Sequence, residues 1–276
     1  MLQSLSRPAV KLVERYLPDP YIFVLLLTVV AAAAAMLIEQ RSPTEVMRYW
    51  GDGFWNLLTF SMQMLLVLIS GFMLANTPPV KKGLASIASL ARTPGSAIML
   101  VTFVSLIASW INWGFGLVIG ALSAKQLAKM IKVDYRLLIA SAYSGFVIWH
   151  AGISGSIPLT IATAGHFTED SIGIVPTSDT IFAFFNIAIV AALLIIMPLV
   201  NRAMMPFEKE SVYVDPALLE EKHTEISDQP RPAERLENSP ILAWVVGLFG
   251  LAWLVDHFVI RGGGLNLNVI NFSFLF

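Results

Sequence analysis

The sequence predicts an all-α polytopic membrane protein, and three observations carry that prediction. Of its 276 residues, 56% are hydrophobic and only 13% charged, against roughly 25% charged in a soluble domain. Several uninterrupted apolar runs approach or exceed the roughly 18 residues that mark a membrane-crossing helix. Ala97 to Leu122 is a stretch of 26 residues without a charge, and basic residues lie on both sides of it. Composition also narrows the chemistry. The net charge of −1 is uninformative about partners, and no nucleic-acid role is expected. Cysteine is absent, which removes disulfides and thiolate metal sites. Neither a Walker A pattern nor an HExxH occurs, so no ATPase or zinc protease is expected, no metal site, and no enzyme.

Residues 1–20 open the chain. Leu5, Ala9, Leu12, Val13 and Tyr16 fall at helical spacing opposite Arg7, Lys11 and Arg15, the pattern of a helix lying in the cytoplasmic interface. Pro18-Asp-Pro20 ends it. The apolar run 21–38 is longer than a signal-peptide core and reads as a retained first span. A loop with Tyr49, Trp50 and Trp55 at the interface leads to a second span, 54–74.

The stretch 97–122 is expected to re-enter and not to cross. Lys81, Lys82 and Arg92 precede it, and Lys125, Lys129, Lys132 and Arg136 follow; basic flanks favour the cytoplasmic side. Its middle, Ser109-Trp-Ile-Asn-Trp-Gly-Phe-Gly116, interrupts the helical pattern. Each leg would hold about 13 residues, roughly 20 Å of helix, short of the ~30 Å of a bilayer core. Lys125 to Arg136 is then expected to form the basic face of a surface helix. The next apolar stretch, 137–164, is broken by His150-Ala-Gly-Ile-Ser-Gly-Ser-Ile-Pro158, since two glycines, two serines and a proline make a continuous helix improbable. The loop that follows has no Lys or Arg up to Thr180 and is assigned outside, so this span crosses as a discontinuous helix. Span 181–200 returns.

Residues 201–239 change character: 14 of 39 are charged and four are proline, a cytoplasmic linker. Residues 240–276 open a further set of spans. The order is that of a first repeat, 21–200, and the start of a second, the inverted-repeat plan in which each repeat supplies one broken element to a midplane site. The chain reads as an N-terminal fragment, multi-pass, with its N-terminus in the cytoplasm.

Backbone at membrane depth that is not helical survives only when buried in protein or lining a watery path, so the two breaks are the candidate site. His150 is the only Asp, Glu, Lys, Arg or His within them. Lacking a fixed positive charge, such a site would hold an anion with amides at half-helix N-termini and with hydroxyls. Candidate donors are Ser109, Asn112, Ser154, Ser156 and Thr160, with His150 for substrate or proton contact. Gly114, Gly116, Gly152 and Gly155 would let backbone approach a ligand closely. Each has a bland alternative: Gly116-Leu-Val-Ile-Gly120 more often marks helix packing, hydroxyls often bond their own helix, and Trp110, Trp113 and Trp149 serve equally as pocket wall or anchor. A small carboxylate suits these donors.

At these residues the chain resembles the short-chain fatty acid transporter family. The resemblance lies in Ser109 to Gly120, in Trp149-His-Ala-Gly-Ile-Ser-Gly-Ser-Ile-Pro158 and in Leu17-Pro-Asp-Pro-Tyr-Ile-Phe23, and it covers essentially the whole chain. It implies membership of the ion transporter superfamily and gradient-driven uptake of short-chain monocarboxylates such as acetoacetate or butyrate across a bacterial inner membrane. No cofactor is expected beyond a coupling ion, H+ or Na+. Expected partners are the carboxylate and the lipid bilayer, with homo-oligomerisation allowed by the sequence. An anion channel of the same fold, or a carrier of another small anion such as a dicarboxylate, is the alternative. A membrane-embedded enzyme using His150 as base ranks third, because no acid within the spans can orient the histidine.

Overall fold

The computed structural model describes residues 19–53, 55, 57–219 and 240–275, and scattered positions between 8 and 16. The interfacial helix expected over 5–17 lies largely outside the described residues, as does linker segment 220–239. All regular structure among the described residues is helical. Among the described residues, six helices are long and apolar enough to cross a membrane, which bears out the all-α polytopic expectation. The chain divides into two compact units, residues 1–62 and 63–276.

In the first unit, α1 (Pro20–Leu37) starts where Asp19 accepts a hydrogen bond from the Tyr21 amide at 2.9 Å and Pro20 sets the first helical turn,. None of its 18 residues is buried. A wholly apolar helix with no protein cover within its unit is stable only against lipid or further protein. Gln40, at φ 56°, turns the chain into α2 (Pro43–Gly53). There Ser42 and Glu45 bond reciprocally in a capping box,.

The second unit holds α3 (Leu58–Ala75) from Gln63 onward, α4 (Pro78–Ala88) and a long helical hairpin. Thr93 and Ser96 cap one another at the start of α5 (Pro94–Ile111), Asn112 is extended at φ −150° and ψ 123°, and α6 (Trp113–Met130) runs back. The contacts fix an antiparallel register. Gly116 packs on Ser109, Gly120 on Ser105, and Ile98, Val101, Ala124 and Leu127 share one buried core. Each step down α5 is matched by an equal step up α6.

The hairpin is longer than expected. Each arm has 18 residues, about 27 Å of helix where roughly 20 Å was predicted. Nothing between Leu122 and Lys125 breaks a helix, since Ser123 and Ala124 are buried in it. Lys125 and Lys129 therefore continue the arm and do not open a separate surface helix. The helix ends only where Ile131 turns extended.

Asp134 caps α7 (Tyr135–Ser144), accepting from the Leu137 amide at 2.8 Å. The helix then tightens into a 3₁₀ turn (Gly145–Ala151), opens over Gly152 to Gly155, and resumes as α8 (Ser156–Ile161). This is the discontinuity that the glycines, serines and proline predict. A short α9 (Glu169–Ile172) precedes α10 (Phe184–Ala203), and α11 (Pro240–Val255) and α12 (Leu267–Leu275) follow. Asn201 of α10 donates to Thr102 of α5 at 3.0 Å and to Ser144 of α7 at 2.7 Å, tying the base of the hairpin to both.

Candidate functional site

The tip of the hairpin and the opening in the broken span meet. Two hydrogen bonds join them: the Ile153 amide donates to the Trp110 carbonyl at 2.7 Å, and the Trp113 amide to the Ser154 hydroxyl at 3.0 Å. Contact this close depends on small residues. A Cβ on Gly152 would lie 2.5 Å from the Trp110 carbonyl oxygen, and one on Gly155 would lie 2.6 Å from that of His150. On the other side, α3 seats against the tip: a Cβ on Gly114 would lie 2.8 Å from Leu68 Cα, and one on Gly71 would lie 3.0 Å from Asn112 Oδ1. Gly116 is a packing glycine, because a Cβ there would overlap the Ser109 backbone.

Asn112 occupies the bend with no exposed surface. Its Oδ1 accepts from the Phe115 amide at 2.8 Å, capping α6, and its Nδ2 has no partner among the described residues. The first-turn amides that the sequence leaves open to a ligand are thus partly used: Trp113 by Ser154, Phe115 by Asn112. The remaining donors are side chains. Ser109 Oγ, Asn112 Nδ2, Trp113 Nε1, His150 Nδ1 and Ser156 Oγ are buried and have no hydrogen-bond partner among the described residues. Each such orphan costs about 1–3 kcal/mol relative to a satisfied group, and all five lie on these two touching elements. Thr160 differs, since its hydroxyl donates to the Ser156 carbonyl in its own helix at 2.7 Å, the self-bonding common for hydroxyls.

Aromatic rings cluster at this junction. Trp113 meets Trp149 edge-on at 5.6 Å and Phe146 at 6.2 Å, and Trp149 lies 4.0 Å from the His150 ring. Trp110 packs instead into the core of Leu106, Ile148 and Val190. No group of acidic, histidine or cysteine side chains among the described residues can hold a metal.

The family model described as "Short chain fatty acid transporter" matches residues 1–276. The chain belongs to that family. A protein of Escherichia coli (strain K12) named "Putative short-chain fatty acid transporter" is 44% identical over the whole chain and 63% of its own length. One of the same name from Haemophilus influenzae (strain ATCC 51907 / DSM 11121 / KW20 / Rd) is 41% identical over the whole chain and 64% of its length. The chain therefore spans just under two thirds of these relatives of the short chain fatty acid transporter family. No solved structure matches it.

Sequence reasoning missed part of the polar interior. Thr102 and Ser105 precede the expected Ser109 and Asn112 at three- and four-residue steps; all four are buried, and the spacing puts them on one face of the hairpin's first arm. Ser123 and Ser141 add two further buried hydroxyls with no hydrogen-bond partner among the described residues. The spacing was readable, but the run is otherwise so apolar that attention falls on its break.

Proposed function

We propose that this chain forms the first half of a secondary active carrier for short-chain monocarboxylates such as acetoacetate or butyrate. The observation that carries the reading is the set of five orphaned polar atoms, from two broken elements, buried beside an aromatic cluster. A carboxylate's two oxygens accept several hydrogen bonds at once. Asn112 Nδ2, Trp113 Nε1, the Ser109 and Ser156 hydroxyls and His150 supply donors, and Trp113 and Trp149 face the short alkyl chain. With no fixed cation in the breaks, the anion's charge is met by dipoles or by a co-carried H+ or Na+. The hairpin's broken partner is to be matched by a second, inverted repeat. The basic ends of the hairpin lie in the cytoplasm, in a bacterial inner membrane, by the positive-inside rule.

Full-length protein in sealed vesicles should accumulate labelled butyrate or acetoacetate when a proton or sodium gradient is imposed, and should exchange internal for external substrate. Uptake that ignores every imposed gradient overturns coupled transport, and flux without counterflow identifies a channel. His150→Gln should cut uptake at least about tenfold, the loss of one hydrogen bond to a charged group.

A further inference from the structure

Away from the polar stripe, α5 exposes Phe103, Ile107 and Ile111, and two apolar grooves run along this face. The first, about 430 Å³, lies between α5 and α10, bounded by Met99, Phe103, Ile195 and Leu199. The second, about 460 Å³, runs toward the hairpin tip between α4, α5 and α6, bounded by Leu84, Ile107 and Phe115. Leu90, Leu100 and Phe103 belong to both and form the ridge between them.

Two arginines adjoin the lining of the first groove, at Ala91 and Met99. Arg92 follows Leu90 by two residues. Arg202 lies over the start of α5, its Nε 3.2 Å from where a Cβ on Gly95 would sit. Its Nη1 reaches only the sulfur of Met99, at 3.5 Å, a weak acceptor. Neither guanidinium meets a carboxylate among the described residues. A fixed cation attracts phosphate through its charge, and basic pockets between spans on the cytoplasmic side hold anionic head groups. Arginines beside two apolar grooves that share Leu90, Leu100 and Phe103 suit a phosphate that carries acyl chains.

We infer that an anionic diacyl phospholipid docks on this face, its phosphate between Arg92 and Arg202 and its chains in the paired grooves. This holds whether or not the transport reading does, because none of these residues belongs to the polar site. The test uses the full-length protein reconstituted in vesicles of equal zwitterionic and anionic diacyl phospholipid, then purified in mild detergent. Retained lipid is counted by native mass spectrometry. The wild type should carry anionic lipid enriched about tenfold or more over the bulk ratio, as expected of two charge contacts. The Arg92→Lys/Arg202→Lys pair should keep the enrichment. Arg92→Gln/Arg202→Gln should fall to the bulk ratio, and Arg41→Gln/Arg48→Gln, in a different loop, should behave as wild type. No enrichment on the wild type overturns the inference and indicates that a second copy or the rest of the longer chain fills the grooves. Equal enrichment on the Gln pair, or its loss from the Lys and Gln pairs alike, overturns it too.

Discussion

Replacing Gly116 by alanine is the sharpest probe of the hairpin. A Cβ there would lie 2.5 Å from the Ser109 amide nitrogen and closer still to its Cα and hydroxyl. Ordinary contact needs about 3.5 Å or more, so the arms must part by about 1 Å at the tip. Two of the three opposing atoms are backbone and cannot rotate away. Overpacking of this kind costs about 1–3 kcal/mol, at the upper end when backbone must shift, and alanine's better helix propensity returns about 1 kcal/mol. The net expectation is a loss of about 2 kcal/mol. Gly120→Ala should cost less, because its nearest neighbour at 2.8 Å is the Ser105 hydroxyl, a side chain that can turn. Gly83→Ala, with nothing within 4 Å, should be neutral or slightly stabilising. Thermal unfolding of the three detergent-purified variants, followed by tryptophan fluorescence, reads the order directly. If Gly116→Ala proves as stable as Gly83→Ala, the arms do not pack in this register.

Three further outcomes are expected. Asn112→Asp keeps an oxygen to cap the Phe115 amide but removes the Nδ2 donor, so uptake should fall about ten- to a hundredfold. Asn112→Ala should also lose about 1 kcal/mol of stability with the cap; wild-type uptake by the Asp variant removes Nδ2 from the site. Asp134 accepts from the Val212 amide at 2.7 Å as well as from Leu137, pinning the segment after α10 to the base of the hairpin. Its replacement by alanine leaves two donors unpaired and should cost about 1–3 kcal/mol, read as faster tryptic cleavage at Lys209. The carboxyl of Glu45 is held below its ordinary value first by the Ser42 hydroxyl and then by the Ser42 amide. A carboxyl with a lowered folded pKa adds stability above its unfolded value and loses it as pH falls through the folded one. The protection of the Ser42 amide, its exchange rate relative to the intrinsic rate at each pH, should therefore fall once pH drops below the usual carboxylate range, and protection that stays constant there refutes the cap.

The amino-acid sequence alone determined where the long apolar helices run and where they break, though not the shorter α2 and α4 between them. Length of apolar run decides what can cross a bilayer. Asn112 between two apolar arms, and Gly152, Gly155 and Pro158 within one span, decide the bends, because caps, glycine and proline act within a few residues of themselves. Its limit shows first in the arm length, where charge at Lys125 looked like an end although the backbone had no reason to stop. It shows again in the polar groups. Only tertiary structure decided that Ser154 is spent on the Trp113 amide 41 residues away, that Thr160 is satisfied at home, and that Ser109 Oγ, Trp113 Nε1, His150 Nδ1 and Ser156 Oγ find no hydrogen-bond partner among the described residues. Hydrogen-bond capacity is fixed by residue type, but whether it is used depends on which distant backbone arrives beside it, and that is set by packing.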